Sequence, residues 1–244
     1  MSSPMELADL HCHLMPYVDD GAYDRDECLA LLQMEAEQGV RSICLTPHLR
    51  ADMFETPDEE ILRHFAEVTE LAEEAALPLE LCHSREYHFD RIFRELLRNR
   101  QIRPLGAGRT VLVEFGGRHS REDILDAVKL VSDAGYVPLI AHVERYAPLH
   151  QDWSFACELR EQGALLQLNA GSVLGQEGLR QRLLCRKLLQ KDLVTVIASD
   201  AHDVKIRAPQ LRQCAEHLEH KYGLRAAKLL LSGNPKAILE GRPV

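Results

Sequence analysis

Seven short apolar runs recur along the 244 residues, and each leads to a polar residue able to bind a metal or a hydrogen-bond partner. Leu7-Ala8-Asp9-Leu10 leads into His11, Ser42-Ile43-Cys44-Leu45 to Thr46-Pro47-His48, and Leu79-Glu80-Leu81-Cys82 towards Glu86. Thr110-Val111-Leu112-Val113 ends on Glu114, and Val137-Pro138-Leu139-Ile140-Ala141 ends on His142. Ala164-Leu165-Leu166-Gln167-Leu168 ends on Asn169, and Val194-Thr195-Val196-Ile197-Ala198 runs into Ser199-Asp200. Between the runs lie stretches with a 3.6-residue apolar period. They are Asp24 to Gln38 closed by Gly39, Pro57 to Ala76 behind Thr56 as a cap, and Ser120 to Ala134 stopped by Gly135. Leu179 to Gln190 and Ile206 to Tyr222 follow. Ser120 with Asp123 has capping-box spacing. Strand–helix alternation of this kind predicts parallel βα units. In a closed (β/α) barrel the C-terminal strand ends share one mouth, whereas an open sheet spreads them along an edge. Convergence of the polar ends therefore predicts an α/β protein, a (β/α)7 TIM-like barrel, in a single domain over residues 1–244.

Composition narrows the function. The chain is 45% hydrophobic and 27% charged, as expected of a globular protein rather than a disordered one. A formal net charge of −9, with no basic run of nucleic-acid-binding density, argues against a nucleic-acid partner. Seven cysteines, an odd number without a Cys-x-x-Cys pair, read as small core residues in a reducing compartment. No cysteine nucleophile is expected. The N-terminus shows no signal peptide and no segment has 18 consecutive apolar residues, so no membrane span and a cytoplasmic location are expected.

The polar ends form a recurrent chemistry. His11 and His13 are two apart on a strand, so both imidazoles point the same way and can reach one ion. Alone, such a pair is as readily two surface histidines. Here it follows an apolar strand and precedes Asp19-Asp20-Gly21. Pro47 ends its strand and aims His48 from a loop. Asp200 and His202 repeat the spacing of two, and Glu114 ends a buried strand where an unpaired carboxylate would be costly. Glu86, beside Arg85, has a salt bridge as its alternative. His64, His217 and His220 lie on helical patterns and are expected to face solvent, while His88 is a further candidate for the mouth.

Asp9-Leu10-His11-Cys12-His13, Asp19-Asp20-Gly21, Thr46-Pro47-His48, Val113-Glu114-Phe115, Ala141-His142-Val143-Glu144-Arg145-Tyr146, Leu168-Asn169-Ala170-Gly171-Ser172 and Ala198-Ser199-Asp200-Ala201-His202 together resemble the polymerase-and-histidinol-phosphatase (PHP) superfamily. The resemblance is greatest to its bacterial capsule and exopolysaccharide manganese-dependent protein-tyrosine phosphatases. It implies a distorted (β/α)7 TIM-like barrel, the PHP fold, and three divalent metal ions, Mn(2+) with Fe or Zn as alternatives. By similarity, His11, His13, Glu86 and Asp200 hold the first metal. Glu86 bridges to a second completed by Glu114 and His142. Asp20, His48 and His202 hold a third, with Asp19 competing for the place of Asp20. Arg145 and Arg207 resemble phosphate-binding arginines, and His202 is a candidate proton donor to the leaving group. The implied substrate is a phosphotyrosine protein, a bacterial tyrosine kinase controlling polysaccharide export. The alternatives are a small-molecule phosphomonoesterase such as histidinol-phosphate phosphatase and a non-catalytic metal-binding subunit. Ser84, His88, Val143 and Gly116-Gly117 depart from the family pattern at the lip of the pocket. Oligomeric state is left open.

Overall fold

The computed structural model describes residues 5–117 and 119–244. Among these residues there are nine strands: β1 (Leu7–Cys12), β2 (Val40–Leu45), β3 (His48–Leu49), β4 (Glu80–His83), β5 (Glu86–His88), β6 (Thr110–Glu114), β7 (Val137–Ile140), β8 (Leu165–Asn169) and β9 (Val196–Ala198). Every strand pairing is parallel. One sheet runs β1-β2-β4 and the other β3-β5-β6-β7-β8-β9. A single bridge, Cys12 to Ala201, carries β9 back to β1.

The expected barrel is thus a curled, incompletely closed parallel sheet. The seven runs become nine strands because two of them break near the mouth. β2 stops before Thr46-Pro47, where proline has no N–H to give the ladder, and resumes as β3. β4 stops before Ser84-Arg85 and resumes as β5. Near the mouth, β3, β5 and β6 pair continuously. At the other end β4 pairs only with β2, and the loop Arg103–Ala107 stands beside it. That slit opens the largest cavity, about 1200 Å³, at the end remote from the polar strand tips.

Helices α1 (Arg25–Glu37), α2 (Asp58–Glu74), α3 (Arg91–Asn99), α4 (Arg121–Asp133), α5 (Ala147–Gln151), α6 (Phe155–Glu161), α7 (Ala170–Leu174), α8 (Leu179–Gln190), α9 (Leu211–Tyr222), α10 (Leu224–Lys228) and α11 (Asn234–Leu239) flank the sheet. α4 carries the expected capping box, with reciprocal bonds between Ser120 and Asp123. α2 buries Ile61, His64, Val68 and Ala72, a stripe of helical spacing. His64 is therefore buried rather than solvent-facing, in contact with Tyr17. Pro57, not Thr56, precedes α2, and the Thr56 hydroxyl instead donates to the Val18 carbonyl. α9 begins at Leu211 rather than Ile206, because Asp203 folds back on the N–H groups of Lys205, Ile206 and Arg207, and Pro209 follows. α3, the short helices α5, α6 and α7, and the terminal pair α10 and α11 lie outside the apolar pattern that flagged the longer ones. The main core lies between sheet and helices, with Leu31, Leu32, Phe93, Val128, Phe155 and Leu188 inaccessible or nearly so.

Candidate metal centre

The alternation of β1 turns Asp9, His11 and His13 to one side. The end of β1 is zipped to the segment after β9: Asp200 N–H donates to the His11 carbonyl at 2.8 Å, and His13 N–H to the Ala201 carbonyl at 2.8 Å. Two distant pieces of sequence are thereby held in register at the mouth. His11 Nε2 and His13 Nε2 lie 3.2 Å apart. Each is 3.3 Å from a Glu86 carboxylate oxygen, and they lie 3.4 and 3.5 Å from Asp200 Oδ1. Ligands bound at roughly 2.0–2.2 Å to one ion stand roughly 3.0–3.5 Å from each other, so these spacings suit a shared cation.

Glu86 is the centre of the arrangement. His142 Nε2 is 2.8 Å from its Oε1 and His48 Nδ1 2.9 Å from its Oε2. Glu114 Oε1 lies 3.5 Å from His48 Nδ1 and 3.1 Å from His88 Nδ1. Four overlapping groups have ligand atoms within 4.8 Å of one another: His11, His13, Asp200; His11, Glu86, His142; His48, Glu86, Glu114; and His13, Asp20, His48, His202. All nine expected ligands are thus brought together. Glu114 groups with His48 and Glu86, however, rather than with His142. Three buried side-chain atoms of this cluster lack a hydrogen bond: Glu86 Oε2 and His48 Nδ1, which lie 2.9 Å apart as an ion pair without hydrogen-bond geometry, and His202 Nε2. Orphaned buried donors and acceptors are costly, and a divalent cation with mixed nitrogen and oxygen ligands would satisfy all three. His142 and Asp200 have φ of +31° and +53°, a left-handed backbone that is uncommon outside glycine and clusters at functional sites.

Asp19 and Asp20 are oriented differently. The Asp19 side chain is inaccessible; its Oδ2 lies 2.7 Å from His13 Nδ1 and accepts from His48 N–H at 2.9 Å. It aims His13 from behind. Asp20 faces the mouth, with Oδ1 3.5 Å from His48 Nε2 and 3.7 Å from His202 Nε2.

Other orienting side chains stand behind these ligands; of them, Asn169 was already counted among the polar strand ends. Gln167 Oε1 lies 3.1 Å from His11 Nδ1 and accepts from His142 N–H at 2.7 Å. Its amide donates to Asn169 Oδ1, and Asn169 Nδ2 donates to Asp200 Oδ2, both at 2.7 Å. The Tyr146 hydroxyl lies 3.2 Å from His142 Nδ1. Asp9 accepts from Ser199 N–H at 3.0 Å and from the Ser199 hydroxyl, tying β1 to the Asp200 turn. For Gln167, its place as a glutamine within the apolar run Leu165–Leu168 is the sequence signal that could have exposed it. His88, the mouth candidate, is buried against Glu114.

Arg145 and Arg207 converge on the outer oxygen of Asp200, each at 2.9 Å. Arg145 is also held by Glu177 at 2.9 Å. Asp20, His48, Glu114, His142, Arg145 and Arg207 line one opening, whose rim adds Arg50, Met53, Phe54 and Phe115. Phe54 stacks on His48, ring centroids 5.2 Å apart. Cys44 and Arg50 stand at the Cys-x5-Arg spacing of cysteine phosphatases. Cys44 lies inside β2, wholly buried, with its thiol pushed up by its contact with Cys82 and by burial, so it is no nucleophile. No cysteine pair is bonded, and five of the seven are buried.

The electrostatics follow from this crowding. Burial opposes charge on His11, but the Glu86 and Asp200 carboxylates prevail and push it up to about 9. Burial likewise opposes charge on His48, which Glu86 and Glu114 push up to about 11. Burial would raise Glu86, yet His11 and His48 hold it well below the usual carboxylate range. Burial also works against Asp200, which His11 and the two arginines hold well below that range. Burial, with His13 as the next cause, lowers His202 to about 2, leaving a neutral imidazole.

Known proteins are similar to this chain in sequence and in fold. A family model described as capsular polysaccharide synthesis, CpsB/CapC, matches residues 7–240. The chain is 35% identical over 238 residues to the tyrosine-protein phosphatase CpsB of Streptococcus pneumoniae, covering 96% of this chain and 98% of that protein. It superposes with a TM-score of 0.90, at 26% identity and over 98% of its length, on a crystal structure from work on YwqE from Bacillus subtilis and CpsB from Streptococcus pneumoniae. That structure is matched over 96% of its own chain, and the two proteins are described as unique metal-dependent tyrosine phosphatases. Histidinol phosphate phosphatase from Lactococcus lactis, at 15% identity and a TM-score of 0.56 over 95% of this chain and 98% of that one, shares the fold. Sequence and architecture together place the chain in the CpsB/CapC family of the PHP superfamily.

Proposed function

We propose that this protein is a metal-dependent protein-tyrosine phosphatase of a capsule or exopolysaccharide system, acting as one domain on a tyrosine kinase in the cytoplasm. One observation carries the reading: a buried carboxylate, Glu86, sits among four imidazoles with orphaned ligand atoms, and two arginines point at the same opening. Metal-dependent phosphomonoester hydrolysis uses this combination of cation ligands and bidentate phosphate donors.

His11, His13, Glu86 and Asp200 would hold one ion, and Asp20, His48 and His202 another. Glu86 with His142 and Glu114 would hold a third. Manganese suits the mixed donor set, as do iron and zinc. Bound divalent ions supply a water that loses its proton near neutral pH and draw charge from the phosphoryl oxygens. Arg145 and Arg207, already paired with the outer oxygen of Asp200, would exchange that partner for the phosphoryl group and orient it for in-line attack. Phe54 and Phe115 at the rim offer an aromatic wall to a phenyl leaving group. Tyrosinate leaves with a pKa near 10 and needs little proton assistance. His202, held neutral, suits a ligand better than a proton donor. Among the described residues no helix is long and apolar enough to cross a membrane, which is compatible with a cytoplasmic substrate.

The test is turnover by manganese-loaded protein of a phosphotyrosine peptide beside histidinol phosphate. Hydrolysis of the peptide, abolished in His11→Ala together with loss of bound metal, is expected. Turnover of histidinol phosphate alone would overturn the protein-phosphatase reading, and no turnover with any divalent metal would indicate a non-catalytic metal-binding subunit.

A further inference from the structure

The helix beside the metal centre carries a charge that the centre does not use. Leu179 to Lys191 contains Arg180, Arg182, Arg186, Lys187 and Lys191 and no acidic residue, in a chain of net charge −9. None of the five belongs to an ion pair among the described residues, although nearby Arg145 and Arg207 do. Lys187 and Lys191 instead lie over the Trp153 ring, 4.5 and 5.7 Å from its centroid. Solvation alone accounts for a basic helix. It does not account for Leu179 and Leu183, one turn apart on that helix and 69% and 55% exposed.

Two of the five cations, Arg182 and Arg186, meet the two leucines in a cleft of about 450 Å³ between α8 and α9. Val173, Leu189 and Tyr222 contribute apolar surface, while Arg182, Arg186 and Lys221 contribute charge, and no carboxylate lines it. The cleft stands beside the mouth. α8 packs on the 3-10 turn Val143–Arg145, and Glu177, two residues before α8, holds Arg145. The stem of Arg182 crosses Gly175, where an added β-carbon would come within 2.7 Å of Cδ.

We propose that this cleft docks an acidic, apolar-containing segment of polypeptide next to the phosphotyrosine of the substrate; the proposal rests on the tyrosine-phosphatase reading. The unpaired cations supply attraction for acidic side chains, and the exposed leucines and the apolar surface supply a seat for an aliphatic or aromatic one. A concave cleft fits a peptide, whereas a bilayer would need these groups on a convex face. Acidic sequence around the target tyrosine would then lower KM, while the chemical step stays with the metal centre.

The test compares three substrates of the metal-loaded protein: a phosphotyrosine peptide flanked by Glu and Leu, the same peptide with Gln for Glu, and a small aryl phosphate. The wild type is expected to prefer the Glu peptide through KM, with the preference shrinking as salt is raised. Arg182→Glu/Arg186→Glu/Lys221→Glu is expected to raise KM for the Glu peptide about tenfold, leaving kcat and aryl phosphate hydrolysis unchanged. Equal KM for the two peptides in the wild type would overturn the proposal. Binding of the unphosphorylated Glu peptide, followed by fluorescence anisotropy, needs no turnover and separates the two claims. A protein that binds this peptide yet hydrolyses no phosphotyrosine substrate keeps the cleft and loses the phosphatase reading; active protein that binds neither peptide does the reverse. Should the triple variant fail to fold, Arg182→Gln/Arg186→Gln replaces it with the same expectation at smaller size. Charge-dependent binding to phosphatidylserine vesicles, with no discrimination between the peptides, would assign the surface to a membrane and overturn the proposal.

Discussion

Asp19 and Asp20 are adjacent, chemically identical, and placed in different roles by one peptide unit. Asp19 grips His13 Nδ1 and the His48 N–H from a position closed to solvent, while the Asp20 side chain is 53% exposed at the mouth. Asp19→Asn should therefore weaken metal binding by about 10–100-fold, the size expected for loss of a carboxylate that orients a ligating imidazole. Competition with a chelator measures this, and unchanged affinity would show that His13 needs no such support. Asp20→Asn should deplete a single ion and leave the others. Gln167 acts on two strands at once through His11 and the His142 N–H. Gln167→Leu should lower metal affinity in the same range as Asp19→Asn and also destabilise the metal-free protein by about 1–3 kcal/mol, read as a lower melting temperature, because the buried His142 N–H and Asn169 Oδ1 lose their partner.

At the scale of elements, the strand breaks decide where ligands point. Thr46-Pro47 interrupts the β2–β3 line and lets His48 pair with Glu86 in β5. The Thr46 hydroxyl lies 3.1 Å from the Cys12 N–H that it satisfies, joining the break to β1. Helices on the outside hold these strands by ordinary means. Ser120→Ala removes the cap of α4 and should cost about 1 kcal/mol, read as a shift in the urea midpoint with metal content unaffected. Phe93 on α3 is buried against Tyr87, ring centroids 5.3 Å apart, and Tyr87 is the neighbour of Glu86. Phe93→Ala should cost about 3–5 kcal/mol and lower metal affinity as well. A loss of stability with metal binding intact would show that β5 is held independently of α3.

At the scale of the molecule, acidic and imidazole groups are packed so closely that protons and cations compete for them. His11 and His48 are raised from 6.5 to about 9 and about 11 in the metal-free chain. Both are protonated at neutral pH, and ligation requires the neutral ring, so metal loading must release protons. Apparent affinity should rise with pH through this range, and calorimetric titration in two buffers of different ionisation enthalpy should give different heats. Identical heats would mean that no proton is displaced. The same groups link pH to folding. Their folded values lie above the unfolded one, so their contribution to stability is complete below about pH 6.5 and is lost as pH rises through about 9 to 11. The metal-free protein should melt at lower temperature across that window, and the loaded protein should not follow it.

What the sequence determined by itself is the recurrence of polar ligands at strand ends. His11 with His13, His48, Glu86, Glu114, His142 and Asp200 with His202 were all legible, because a periodic apolar run announces its own end and the parallel barrel sends all ends to one place. The long helices were legible for the same reason: α8 runs over the 12 residues its period implies. Short helices such as α5 and α7 were not, since five residues carry too little period to distinguish them from loop. Tertiary structure alone decided the rest. Which of Asp19 and Asp20 faces inward depends on the turn between His13 and Gly21. Glu114 stands with His48 rather than His142 although β7 borders β6 and β3 lies beyond β5, a choice made by side-chain direction and not by strand order. That Gln167 serves two ligands, and that the cations of α8 border a cleft with Lys221 of α9, are contacts between residues far apart in the chain, set by packing rather than by local pattern.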